Sequence, residues 1–186
     1  MNTAKIIRFQ LDSGTITTLK TVHIPQEVTD GMNIEKTIYI YRPVYEVYQF
    51  WRRLSSLPTI ASNLEAVKVT DNRHSQWVMK APLGEIKWTA EIIEEVENQL
   101  ISWCSLEPSA VPNEGFVKFE PMLDGRGTEV HVWIHFKPPL GNFGSWVANL
   151  FGKNPEKLLE ETLCNLKDKL ESKGLADTQE LPVYTD

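Results

Sequence analysis

Ile34, Ile38 and Ile40 fall on one face of the stretch I-E-K-T-I-Y-I, and between there and Phe136 the hydrophobic period changes only for one helical segment. The opening stretch reads as a strand and stops at Arg42-Pro43, where a proline is well placed to start a helix. Val44, Val47, Tyr48, Trp51 and Leu54 then recur at helical spacing and form one apolar stripe, with Glu46, Gln49, Arg52 and Arg53 on the other side. Tyr45 and Phe50 widen that stripe, and Leu57-Pro58 closes the segment.

Beyond Pro58 the period drops to two. It stays there through six segments: L-E-A-V-K-V-T, S-Q-W-V-M-K-A, E-I-K-W-T-A-E-I-I, Q-L-I-S-W-C-S-L, G-F-V-K-F-E-P and G-T-E-V-H-V-W-I-H-F. Turn residues separate them at Asp71-Asn72, Pro82 to Gly84, Glu97-Asn98, Pro112 to Gly115 and Asp124 to Gly127. Alternation is cleanest where Ile86, Trp88, Ala90 and Ile92 oppose Glu85, Lys87, Thr89 and Glu91, which describes an antiparallel strand with one buried face. Val130, Val132, Ile134 and Phe136 repeat the pattern in the last segment.

A Gly- and Pro-containing apolar stretch follows, P-P-L-G-N-F-G-S-W-V-A-N-L-F-G-K, and then a second helical pattern. Asn154 is a good N-cap, Pro155 suits the first helical position, Glu156 complements the positive helix end, and Gly174 is a stop signal. Leu159, Leu163, Leu166 and Leu170, with Leu158 beside them, give this helix one apolar face. Such a face must lie on something, and the sheet is the available partner. Seven antiparallel strands twist, and a long twisted sheet curls around a helix and leaves room between them.

Residues 1–33 are polar and Thr-rich, with two short strand-like pieces ending at Pro25 and at Asp30-Gly31, and read as an N-terminal extension. The expected domain is 34–174, followed by a tail over 175–186. At 186 residues the chain has the size of one ordinary domain, and its 41% hydrophobic and 24% charged residues are those of a soluble globular protein. The first residues lack a charged segment followed by a long apolar one, so a cytoplasmic location is expected. With a net charge of −6 and scattered Lys and Arg, no nucleic-acid partner is expected. Cys104 and Cys164 are too few for a disulfide framework, and neither lies near a metal or redox motif.

The order strand, aromatic helix, six strands, long C-terminal helix resembles the START-like superfamily with its helix-grip (Bet v 1-like) fold, an α+β architecture. Within it the chain looks most like the polyketide cyclase/dehydrase and lipid-transport group, which includes coenzyme Q-binding proteins. The residues that carry the resemblance are Pro43, Val47 and Trp51, Leu57-Pro58, Trp103 in I-S-W, and the run from Gly115 to Val130. The resemblance covers residues 34–174. The implied fold is a curved seven-stranded antiparallel sheet around the C-terminal helix. The implied function is binding, or transport, of a lipid, isoprenoid quinone or polyketide-like molecule. The same scaffold hosts enzymes and interaction modules. A cyclase or dehydrase and a module with a filled pocket therefore stay open beside the carrier.

Chemistry is otherwise sparse. His131 and His135 stand i, i+4 on a strand, roughly 13 Å apart at about 3.3 Å per residue, too far to share one ion, and read as a solvated face. No nucleophile elbow, phosphate loop or zinc-protease motif is present. Glu91, Glu94, Glu95 and Glu97, like Glu156, Glu160 and Glu161, read as solvated faces. No catalytic residue, metal or cofactor is therefore expected. The ligand-binding candidates are apolar: Tyr48 and Trp51 from the first helix, Trp88, Trp103, Val117 and Phe119 from the middle strands, and Val132, Ile134 and Phe136 from the last. Leu159 and Leu163 would close the cavity from the C-terminal helix. Trp146 and Phe151, in the stretch from Gly141 to Gly152, would form a mobile entrance able to touch a membrane transiently. Tyr48, Thr89, Ser102 and Thr128 are the polar groups available to orient a ligand.

Overall fold

Residues 31–82, 84–137, 148, 150–151 and 154–177 are described by a computed structural model of the protein, with side chains in the last helix as far as Ser172. The chain divides into the units Met1–Gly31 and Met32–Asp186, and the fold below belongs to the second. Residues 1–30 of the proposed extension over 1–33, most of the proposed entrance including Trp146, and the end of the tail lie outside the described residues.

Strand β1 (Met32–Ile40) runs through Pro43 into helix α1 (Val44–Arg52). A 3-10 turn, Leu54–Thr59, follows and carries Pro58. Six strands then succeed one another: β2 (Leu64–Val69), β3 (His74–Ala81), β4 (Gly84–Val96), β5 (Leu100–Ser105), β6 (Asn113–Pro121) and β7 (Thr128–Phe136). The C-terminal helix α2 runs over Pro155–Asp177. Each consecutive pair from β2 to β7 is antiparallel, and β1 adds itself beside β7, so the order is β1-β7-β6-β5-β4-β3-β2. This is the seven-stranded sheet that the alternation implied.

The turns form where their chemistry allows. Asn98 takes a positive φ of 60° in the β4–β5 hairpin, a conformation asparagine tolerates, and Gly125 takes 70° in the β6–β7 hairpin. Gly174 does not end α2, which continues to Asp177. A glycine costs a helix about 1 kcal/mol, which its neighbours can outweigh. The expected cap is present, with Asn154 Oδ1 accepting from the Glu156 N–H at 2.9 Å.

The inward faces of β1, β6 and β7 supply the centre of the core: Ile34, Ile40, Val117, Phe119, Val130 and Val132 are buried. Leu158, Leu159, Leu163, Leu166 and Leu170 are buried with them, so α2 lies in the curve of the sheet. From α1, Val47, Tyr48 and Trp51 are buried, and Tyr48 and Trp51 each meet the Phe119 ring edge-on.

Candidate ligand cavity

Between the concave face of β3, β4 and β5, the 3-10 turn and the first turns of α2 lies a cavity of about 200 Å³. It is smaller than the roughly 300 to 1,000 Å³ of an ordinary ligand site. Tryptophans shape it. Trp77 and Trp88 stand directly opposite on β3 and β4 and stack, their ring centroids 5.8 Å apart. Trp103 is the next indole, on β5 across from Ile92. It lies close over Gly115, where a Cβ would come within 2.7 Å of its ring, so only glycine lets the indole settle there.

Two of these indoles have their N–H groups tied down. Trp77 Nε1 donates to Ser75 Oγ at 2.9 Å, and Trp103 Nε1 donates to Asn113 Oδ1 at 3.1 Å. Asn113 in turn donates to the Val111 carbonyl. Fixed in this way, the rings hold their orientation without a ligand. Asn63 and Thr162 add polar groups to the wall. The Asn63 amide donates to the Met79 sulfur at 3.4 Å, and the Thr162 hydroxyl donates to the Leu158 carbonyl.

Of the apolar candidates, Trp51, Trp88, Trp103, Val132, Ile134, Phe136, Phe151 and Leu159 lie at the cavity wall. Val117, Phe119 and Leu163 do not; they are fully packed core. They follow the same alternation as the lining residues, and only the curvature decides which positions close on a neighbour. Tyr48 is also core, its hydroxyl turned to Glu95. None of the polar candidates reaches the cavity. Thr89 and Ser102 have the outward phase of β4 and β5, while Thr128 is buried and donates to the Arg42 carbonyl. Trp77 and Met79 of S-Q-W-V-M-K-A and Ile101 of Q-L-I-S-W-C-S-L, which line the wall, were missed although both segments carry the period-two signal.

One further expectation is refined and one corrected. Glu95 is exposed, as expected, but β4 is irregular between Ile92 and Glu94, and the extra residue brings Ile92, opposite Trp103, and Glu95, opposite Ile101, to the same side. Glu95 accepts hydrogen bonds from the Tyr48 hydroxyl and, at 2.6 Å, from Arg52 Nε. His135, by contrast, is not solvated. It does face away from the cavity, but it is buried, stacked on Trp133, with Nδ1 2.7 Å from Asn33 Oδ1 and Nε2 without a hydrogen-bond partner. Burial holds its imidazole below the usual histidine range. His131, half-buried, pairs with Glu35 at 2.6 Å.

Near the cavity, Tyr48 and Glu95 are shifted from their ordinary values, and the pair sits beside the cavity rather than on its wall. Burial, the bond to Glu95 and the carboxylate's charge all push the Tyr48 phenol well above its ordinary value. Burial pushes the Glu95 carboxyl up, but the hydrogen bonds from Tyr48 and Arg52 and the guanidinium charge together outweigh it and leave the group lowered. A lowered carboxyl stabilises the fold above its unfolded value, about 4.3, and the contribution is lost as pH falls through the folded value. Glu95→Gln is therefore expected to lower the melting temperature at pH 7, and the gap to the wild type should close in acid. Melting curves from pH 7 to pH 3 check this, and a gap that persists at pH 3 would show that the carboxylate's charge is not what matters.

A curved antiparallel sheet closed on a long C-terminal helix, with an apolar cavity between them, defines the helix-grip, START-like class. The chain belongs to the polyketide cyclase / dehydrase and lipid transport family, whose model matches residues 40–165. Among solved structures it is similar to a Deinococcus radiodurans protein at 30% identity, covering 76% of this chain and 98% of that one, with a TM-score of 0.64. A START superfamily protein from Mycobacterium smegmatis shares the fold at 14% identity, over 76% of this chain and 95% of that one, with a TM-score of 0.57. The Zhui aromatase/cyclase from a Streptomyces species does so at 16% identity, over 79% and 88%, with a TM-score of 0.53. No curated protein matches the chain. Among the described residues no helix is long and apolar enough to cross a membrane, and no cluster of His, Cys, Asp or Glu could hold a metal ion.

Proposed function

We propose that the protein binds a small hydrophobic molecule in this cavity and releases it unchanged. The observation that carries this is the wall itself: aromatic and aliphatic, with its indole N–H groups at Trp77 and Trp103 already satisfied. A cyclase or dehydrase would need an acid or base within hydrogen-bond reach of its substrate. The described wall offers neutral Asn63, Ser75, Asn113 and Thr162 and one carboxylate, Glu91, which Arg73 holds at 3.0 Å, while the perturbed Tyr48–Glu95 pair is spent on holding α1 to β4. A module with a filled pocket is disfavoured by the remaining volume.

Native mass spectrometry of the purified protein, with organic extraction of what it carries, tests this. The expected result is a co-purifying apolar compound, recovered with the same mass after incubation with fresh protein. Trp88→Ala should reduce its occupancy at least about fivefold while the protein stays folded, given what one aromatic contact is worth. A compound recovered as a changed product would instead establish the enzyme.

A further inference from the structure

We propose that the cavity takes its ligand only in uncharged form, so that a weak acid enters it protonated. This rests on the ligand-binding function proposed above and specifies what that site accepts. Among the described lining residues there is no Asp, Lys, Arg or His. The one carboxylate, Glu91, has the outward phase between buried Ala90 and Ile92, and Arg73 holds it at 3.0 Å. The neighbouring cations are committed elsewhere. Arg52 donates to Glu95 and, at 3.0 Å, to the Asn72 carbonyl, while Arg73 also donates to the Ile92 carbonyl at 3.0 Å.

The positive end of α2 is the remaining place where an anion could settle. It reaches the cavity through Pro155, which has no N–H. The next N–H, of Glu156, is already held by Asn154 Oδ1, and Glu156 puts a negative charge in that first turn. A carboxylate or phosphate in the cavity would thus lose its hydration and find neither counter-charge nor free donor cluster, a cost that apolar contacts do not offset. A neutral oxygen fares better, because the Asn63 amide can exchange the weakly accepting Met79 sulfur for a carbonyl or hydroxyl.

Two compounds of one shape separate charge from fit: naphthalene-2-carboxamide and naphthalene-2-carboxylic acid, both compact. Calorimetric titration of each into the full-length protein between pH 5 and pH 8 gives the affinities. The carboxamide should bind with an affinity that does not change with pH, which also reports any effect of the protein's own titration. The acid, with a pKa of about 4, should weaken about tenfold per pH unit, about 1,000-fold across the range. It should also carry about one proton into the complex per molecule bound, read from the heats in two buffers of different ionisation enthalpy. An acid that binds within tenfold of the carboxamide at pH 8, or without proton uptake, overturns the proposal. A folded protein that binds neither compound at any pH overturns it together with the function on which it rests.

Discussion

Removing residues 154–186 is expected to leave a chain that no longer melts cooperatively. Leu158, Leu159, Leu163, Leu166 and Leu170 of α2 are all buried against the sheet, Leu166 completely. At about 1.5 to 3 kcal/mol for each fully buried side chain, their loss removes roughly 8 to 15 kcal/mol, as much as a whole domain has to lose. The deletion also bares the concave faces of Ile34, Val117 and Val132, a continuous apolar surface that favours aggregation. The measurement is solubility together with a thermal melt followed by near-ultraviolet circular dichroism. A milder variant keeps the outcome interpretable: Leu166→Ala should unfold cooperatively with a stability lower by about 2 to 5 kcal/mol. A soluble deletion protein with a sharp melt would mean that the sheet closes its core without α2.

How much of this arrangement could be read beforehand depends on what each pattern encodes. Period-two alternation tells which residues of a strand share a face, and here it correctly grouped Ile86, Trp88, Ala90 and Ile92 of β4 and Val130, Val132, Ile134 and Phe136 of β7. It does not tell how far that face stands from what covers it. Val117 and Trp103 both point into the concavity, yet one is packed solid and the other borders open space, because the sheet's curvature and the crossing of α2 set the gap. Nor does alternation survive an extra residue: the irregularity after Ile92 moved Glu95 to the inner side, where it binds Tyr48 and Arg52. Counting strictly in twos rightly left it exposed but gave no sign of these partners.

The same limit applies to polar groups. A lone hydroxyl carries almost no directional signal in sequence, since one residue's shift reverses its face. Ser75 and Asn113 are at the wall not as ligand contacts foreseen from spacing but as acceptors for Trp77 and Trp103. His135 shows the converse, an outward strand position that is nonetheless buried among Trp133 and Asn33. Helix patterns were more reliable, because an apolar stripe such as that of α2 has a single face to bury.

Phe119→Ala and Trp88→Ala together separate core from cavity, and their contrast is the second large effect expected. Phe119 is almost wholly buried and takes the edges of Tyr48 and Trp51, at centroid distances of 5.6 and 6.3 Å. Its truncation leaves a void under α1 with both aromatic contacts gone, at a cost of about 3 to 5 kcal/mol. For a unit of this size that lowers the melting temperature by roughly 10 °C. Trp88 is half-buried at a wall that already borders empty volume, so its truncation enlarges an existing space instead of opening a new one, and relaxation is easier. Trp88→Ala should therefore lose less than half as much stability as Phe119→Ala. Binding should order them the other way. At a temperature where both are folded, Phe119→Ala should keep most of the wild-type affinity for a neutral ring compound, and Trp88→Ala should lose the larger share. Thermal melts and titrations on the two purified variants measure both quantities. Equal losses of stability with equal losses of affinity would mean that Trp88 is ordinary core and that the space beside it is a packing gap, not a binding site.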